Sequence, residues 1–293
     1  MDMELFFQQL VSGISIGAIY SLLAVGYALV YSVYNFTNWA FDGFMAFGAF
    51  AAFTSIASLV MPFWIAVIVS ILVTVGLSVG TEVTSYRPLR ERNAPRLFMM
   101  ISAMGVNLAV VNTLNLVYGG TFRKFPYEDV NPIFLGAISI GRMDLAAGLI
   151  SFAVLALLWW FLYRTKVGLG ILASSVDITT ASLMGINNNA VAVAIFAVSG
   201  VLSAVAGVFY GMKYAVYPMM GAITIKAMIA SIVGGLGSLP AAVVGSMLLG
   251  ITETFVAGYI SSTYRDMFSF AFLIVILLFL PNGLMGKSVE EKL

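Results

Sequence analysis

Apolar residues in this chain collect into long runs, near 6 to 33, 43 to 61, 63 to 85, 97 to 119, 145 to 163, 190 to 212, 223 to 236, 240 to 260 and 267 to 281. A helix rises about 1.5 Å per residue, so a run of roughly 20 apolar residues crosses the hydrocarbon of a bilayer. The pattern predicts an all-α polytopic transmembrane bundle of about nine spans, eight to ten by where boundaries are drawn, forming a single domain over residues 1–293. The run at 223 to 236 is short. About fourteen residues between Thr224-Ile225-Lys226 and Gly234-Gly235-Leu236-Gly237-Ser238 predict a half-helix buried among neighbours rather than an independent lipid-facing span.

Polar interruptions add a second layer. Residues 11 to 53 read as a helix, an interruption from Asn35 to Asp42, then the small-residue helix GFMAFGAFAAF; residues 195 to 238 read as a helix, an interruption from Tyr217 to Lys226, then AMIASIVGGLGS. Basic residues set the orientation, because Lys and Arg accumulate in cytoplasmic connections. Arg87, Arg90, Arg92 and Arg96 crowd one connection, Arg164 and Lys166 open the segment 164–189, and Lys287 and Lys292 close the chain, so these three are expected in the cytoplasm. The loop from Gly120 to Asp144 balances Arg123, Lys124 and Arg142 with Glu128, Asp129 and Asp144 and is expected outside. An odd number of crossings then puts the N-terminus outside and the C-terminus in the cytoplasm. In that topology the two interrupted units cross in opposite senses, the pattern of an inverted repeat whose breaks meet near the midplane and frame a pathway.

Composition removes other classes. Hydrophobic residues make up 61% of the chain and charged residues 9%, against roughly 45–50% and about 25% in soluble domains, and the mean hydropathy is +1.03. With 14 basic and 13 acidic residues the net charge is +1, with no basic footprint for nucleic acid and no polybasic lipid switch. Zero Cys and zero His remove thiolate and imidazole metal sites and Cys- or His-dependent hydrolysis, so no catalytic residue, metal or cofactor is assigned. The start, MDMELFFQQL, lacks the positive n-region of a cleaved signal.

Gly13 and Gly17, Gly76 and Gly80, and Gly207 and Gly211 each stand four apart, the spacing of close helix packing. Ionisable groups inside apolar runs are the sharper signal, since at depth they face protein or a water-filled cavity. Glu82 is a few residues from Arg87 and reads as an interfacial group able to snorkel. Glu253 is farther from a boundary and reads as a pathway candidate, while Asp42 and Lys226 mark the two interruptions as caps of half-helices. The expected translocation path therefore comprises Asn35, Asn38, Asp42, Pro218, Gly221, Gly234, Gly235, Gly237 and Glu253, with apolar walls from Phe36, Trp39, Met219 and Met220. The tail from Pro281 to Ser288 ends in Gly-Lys-Ser like a phosphate loop, but Pro281 stands where that loop's first Gly belongs and no strand-loop-helix context surrounds it.

The run GISIGAIYSLLAVGYALVYSVYNFTNWAFDGFMAFGAF, then YRPLR, GLGILASSVDITTASLMGIN, YPMMGAITIKAMIASIVGGLGSLPAAVVGSMLLG and LPNGLMGK together resemble the inner-membrane permease subunits of branched-chain amino acid ABC transporters of the LivH type. The resemblance covers essentially the whole chain. It implies a non-enzymatic permease of an ABC importer in the plasma or inner membrane. Its implied partners are separate ATPase subunits, a second related permease subunit or a second copy of this one, and an extracytoplasmic substrate-binding protein. It further implies that Gly168, Ala173, Asp177, Ala181 and Gly185 lie in the cytoplasmic segment that couples to the ATPase. Two departures stand out: Leu172 replaces an Arg usual before the alanine, and Asn35-Phe36-Thr37-Asn38-Trp39 replaces Asn-Phe-Ala-His-Gly. They leave urea, short amides or other amino acids as alternative substrates. An ion-coupled secondary transporter is a further alternative, with only Glu253 and Asp42 available as coupling groups.

Overall fold

The computed structural model describes residues 3–126, 133–135, 138–235, 237–280 and 283–285. In chain order the helices are α1 (Met3–Tyr34), α2 (Phe41–Ala57), α3 (Phe63–Thr81), α4 (Arg87–Glu91), α5 (Arg96–Tyr118), α6 (Arg142–Arg164), α7 (Lys166–Val176), α8 (Ile178–Leu183), α9 (Asn188–Lys213), α10 (Ile223–Gly234), α11 (Leu239–Tyr259) and α12 (Arg265–Phe279). Two three-residue strands, β1 (Ile133–Leu135) and β2 (Ile138–Ile140), pair antiparallel between α5 and α6, a small addition to an otherwise helical chain. Among the described residues seven helical stretches are long and apolar enough to cross a membrane. The two predicted spans missing from that set are α2, at 17 residues, and the Met220–Gly234 stretch that contains α10. The second was expected to be a half-helix; the first was expected to span and is shorter than the run 43 to 61 suggests, because its helix ends at Ala57 ahead of Pro62.

The longest helix, α1, is the axis of the bundle. Its apolar side chains point all round, and 94% of its most hydrophobic window is buried, as a helix enclosed on every side requires. Packing on α11 depends on missing side chains: a Cβ at Gly13 would stand 3.0 Å from Ile251 Cα, and one at Gly17 would stand 3.1 Å from Met247 Cα. Gly207 abuts the Met45 carbonyl and Gly211 abuts Val216, so this pair also lets elements approach closely. Gly76 and Gly80 do not. Nothing lies within 4 Å of a Cβ at either, because that side of α3 faces away from the rest of the chain. The helix begun by α3 continues to Glu91 through a π turn at Glu82–Tyr86, where the Arg87 N–H reaches back to Glu82. Pro88 follows at once and has no N–H to continue the α ladder, which accounts for the local rewinding.

The interrupted units pack reciprocally. α1 meets α10, and α2 meets α9. Ser12 of α1 is bonded to Lys213 of α9 while Gly26 lies near Leu202, so the two long helices run antiparallel. Met45 faces Gly207 and Ala49 faces Gly211, so α2 runs with α9; Gly237, just past α10, faces Ser32 near the end of α1. Each half-helix thus lies along the long helix of the other unit, the arrangement expected of the sequence pattern. The Arg87–Arg96 connection and α7–α8 share one end of the bundle, where Arg90 donates to Asn189 Oδ1 at 2.6 Å. Asp144, Ser12 and Lys213 lie together at the other end, with Lys213 Nζ 2.7 Å from Asp144.

Candidate functional site

The first break begins where α1 stops. Asn35 takes φ 51°, a left-handed conformation that Asn tolerates better than most residues, and its N–H closes on Tyr31 O at 2.8 Å. It is exposed. Asn38 is buried, its Oδ1 accepting from the Ala40 N–H at 3.1 Å and from the Tyr86 hydroxyl at 2.8 Å. Phe36 is likewise buried, edge-on to Tyr86 with ring centroids 5.6 Å apart. These residues fasten the break to the π turn, with the Asn38 Nδ2 buried and without a hydrogen-bond partner.

Asp42 is the residue that does reach the second break. It sits in the first turn of α2, where a carboxylate is favoured by the helix dipole. Its Oδ2 accepts from Asn107 Nδ2 of α5 at 3.1 Å, while Oδ1 lies against Gly221 so closely that a Cβ there would overlap the carboxyl group. Gly221 belongs to the 3-10 turn Met220–Ala222, entered through buried Pro218. Asp42 Oδ1 and Asn107 Oδ1 are both buried with no hydrogen-bond partner. Tyr27 stacks on Phe41 at 4.6 Å and holds the start of α2 to α1. With Met45 beside Gly207 and Phe41 beside Gly26 and Leu202, this meeting point lies level with the interior of α9, far from either end. Of the expected apolar walls, Met220 is buried, Trp39 is half-buried and Met219 is 67% exposed.

The other expected path residues fall elsewhere. Gly234 packs on the Ala241 carbonyl, and Gly235 (φ 129°) and Gly237 (φ 82°) turn the chain from α10 into α11 at the end of the bundle that carries Arg87. Leu236 between them lies outside the described residues, as do Pro281, Asn282 and residues 286–293 of the tail. Glu253 is 1% exposed and engaged on all sides. Lys226 Nζ stands 3.0 Å away, Arg265 Nε 4.0 Å away, the Tyr20 hydroxyl donates to it at 2.8 Å and the Ser269 hydroxyl donates to its other oxygen. Lys226 also meets Asp266 at 2.6 Å. Lys226 is therefore an ion-pair partner and not a cap, and the cluster pins the first turn of α10 to α1, α11 and α12. Glu82 does not snorkel either. It is fully buried 2.8 Å from Arg90, whose guanidinium lies 5.2 Å over the Tyr34 ring.

The segment 164–189 is a pair of short capped helices. The Thr165 side chain accepts from Gly168 N–H at 3.0 Å to start α7, and the Asp177 carboxylate accepts from Thr180 N–H to start α8. Hydrogen bonds from Thr180 hold the Asp177 carboxyl below the usual carboxylate range. Gly185 ends α8 at φ 89°, and Asn187 Oδ1 caps α9 through the N–H groups of Asn189 and Ala190. Gly168 lies on the Phe161 and Leu162 backbone, so any side chain there would force α7 off α6. Ala181 is buried, whereas Ala173, Asp177 and Gly185 are exposed. Sequence reasoning missed the most exposed apolar side chains of the segment, Val176, Leu183 and Met184, at 88%, 83% and 81%. It also missed Asn107, although an Asn within an apolar run is itself a signal. An apolar groove of about 400 Å³ between α1, α6 and α11, lined by Val25, Phe152, Trp159 and Val243 among others, contains none of the expected path residues.

Residues 9–277 match the sequence family described as "Branched-chain amino acid transport system / permease component". The chain is 32% identical over 302 aligned positions to the high-affinity branched-chain amino acid transport system permease protein LivH of Salmonella typhimurium, covering 98% of this chain and 97% of that one. It is 34% identical to BraD of Pseudomonas aeruginosa, with 98% of each covered, and 29% identical to a probable LivH of Methanocaldococcus jannaschii, with 92% and 89% covered. Among solved structures it resembles "PsaBC from Streptococcus pneumoniae in complex with Fab" with a TM-score of 0.54 at 14% identity, covering 94% of this chain and 92% of that one, a likeness of fold alone.

Proposed function

We propose, from the premise that this chain belongs to the family of permease components of branched-chain amino acid transport systems, that it forms one half of the membrane path of an ATP-driven importer for branched-chain amino acids. The observation that carries this reading is the meeting of two helix breaks at Asp42 and Gly221, level with the interior of α9. Irregular backbone is tolerated at membrane depth where protein or a water-filled path satisfies it, and reciprocal units are free to rock against each other around such a point. Buried Met220 with half-buried Trp39 gives the apolar surroundings that suit an aliphatic side chain.

Energy enters through other subunits. A separate ATPase subunit engages the α7–α8 segment on the cytoplasmic side, where exposed Val176, Leu183 and Met184 supply apolar contact and Gly168, Ala173, Asp177, Ala181 and Gly185 shape the turns. A second permease chain completes the path, and an extracytoplasmic binding protein delivers the substrate. The N-terminus is outside and the C-terminus is cytoplasmic, the orientation read from the short basic connections that hold Arg87 to Arg96 and Arg164 to Lys166. Reconstitution of the complex in vesicles tests the reading. Leucine uptake that requires ATP, competes with isoleucine and valine, and ignores urea and acetamide is the expected outcome. Uptake driven by a proton or sodium gradient without ATP would overturn it.

A further inference from the structure

We infer that Asp42, with Asn107, is the point at which the path recognises a primary ammonium group, so that the amine end of the substrate is oriented by a carboxylate where the two breaks meet. Two buried acceptors, Asp42 Oδ1 and Asn107 Oδ1, lack donors, and the Asn107 amide nitrogen is already committed to Asp42 Oδ2. Among the described residues no Lys or Arg comes within 4.0 Å of Asp42, in contrast to Glu253, Glu82 and Asp144, each of which has a basic partner. A carboxylate at membrane depth without a counter-charge is costly and is retained where it has a task. The missing complement is a cation rich in donors, and an ammonium supplies one positive charge and three N–H groups.

The opposing wall favours a small headgroup. Gly221 presents bare backbone to the carboxylate, and both free acceptor atoms are buried where the two breaks meet, so an ammonium reaches them as the breaks part. A single carboxylate, not a ring of charges, orients the amine without holding the zwitterion too tightly to leave, and the aliphatic side chain is left to the apolar neighbours.

The inference rests on the transport reading, and the test separates the two. In vesicles holding the whole complex, with the binding protein saturated by labelled leucine, D42N is expected to lower uptake by about tenfold or more, since the isosteric amide keeps the shape and loses the charge-assisted contact. Isopentylamine, which carries the ammonium without the carboxylate, is expected to inhibit the wild type without displacing leucine from the binding protein, and to inhibit D42N far less; 4-methylpentanoate is expected to inhibit neither. Equal uptake by D42N and wild type, or equal inhibition of both by the amine, overturns the inference while leaving the transport reading intact. Inhibition by the acid and not the amine overturns it on the wild type alone, even if D42N fails to assemble. A sodium requirement abolished in D42N would likewise overturn it, as the mark of an inorganic cation. Absent ATP-driven leucine uptake in the wild type would instead strike the transport reading.

Discussion

At the scale of single residues, glycines and buried charges make opposite demands. Gly221 has no room for a methyl group because the Asp42 carboxylate occupies that space. Gly221→Ala is therefore expected to destabilise by about 1–3 kcal/mol, the usual range for overpacking, and to abolish most uptake, read by thermal unfolding in detergent and by vesicle assay. Gly76→Ala is expected to behave in the opposite way in the isolated chain, because nothing lies within 4 Å of the added methyl. Replacing a mid-helix glycine there should leave stability unchanged or raise it by up to about 1 kcal/mol. Glu253 holds Lys226 and Arg265 from a site that is 1% exposed. Glu253→Gln should cost about 3 kcal/mol, since breaking a buried pair strands its partners, and should loosen α10 more than α2 in hydrogen exchange.

At the scale of elements, the α7–α8 elbow is held by caps as well as by the burial of Gly168, Ile171 and Ala181. Asp177 starts α8 through Thr180, and this bond keeps its carboxyl below the usual range. A depressed folded-state value means the cap's contribution is fully present above the ordinary carboxylate range and is lost as the pH falls through the lowered value. ATPase coupling should therefore hold from neutral pH down to the ordinary range and fail only in stronger acid, whereas Asp177→Ala should impair coupling at every pH, read as ATP hydrolysed per leucine imported. The existence of these elements was largely legible in the apolar runs and basic connections, but their lengths were less so. The run 43 to 61 looks like a span, because composition does not distinguish a helix buried in protein from one facing lipid; α2 stops at Ala57. Asp42 and Gly221 were legible as interruptions, while the Asp42–Asn107 bond joins positions 65 apart and leaves no periodic trace. Glu253 was legible as a buried charge but not as a partner of Lys226, Arg265 and Tyr20, which arrive from three other helices.

At the scale of the whole molecule, the arrangement has two chemically distinct ends, and sidedness follows if the basic end faces the cytoplasm. Arg87, Arg90 and the α7–α8 elbow share one end, tied by the Arg90–Asn189 and Asn189–Glu91 bonds. The turn at Ser262–Tyr264 between α11 and α12 lies at the opposite end, close to Tyr214 through Arg265. The chain has no Cys, so single cysteines report without background. Ser182 of α8 and Ser262 are both exposed and suit the purpose, whereas Ser174 of α7 is 2% exposed and would stay unlabelled on either side. In intact cells Ser262→Cys should react with a membrane-impermeant maleimide and Ser182→Cys should not; in inverted vesicles the order should reverse. Under the proposed docking of the ATPase subunits on the elbow with exposed Leu183 and Met184, their binding should protect the Ser182→Cys site alone. Labelling of both sites from the same face would contradict the placement of the α7–α8 elbow and the α11–α12 turn at opposite ends of the bundle, and with it the sidedness on which the path depends.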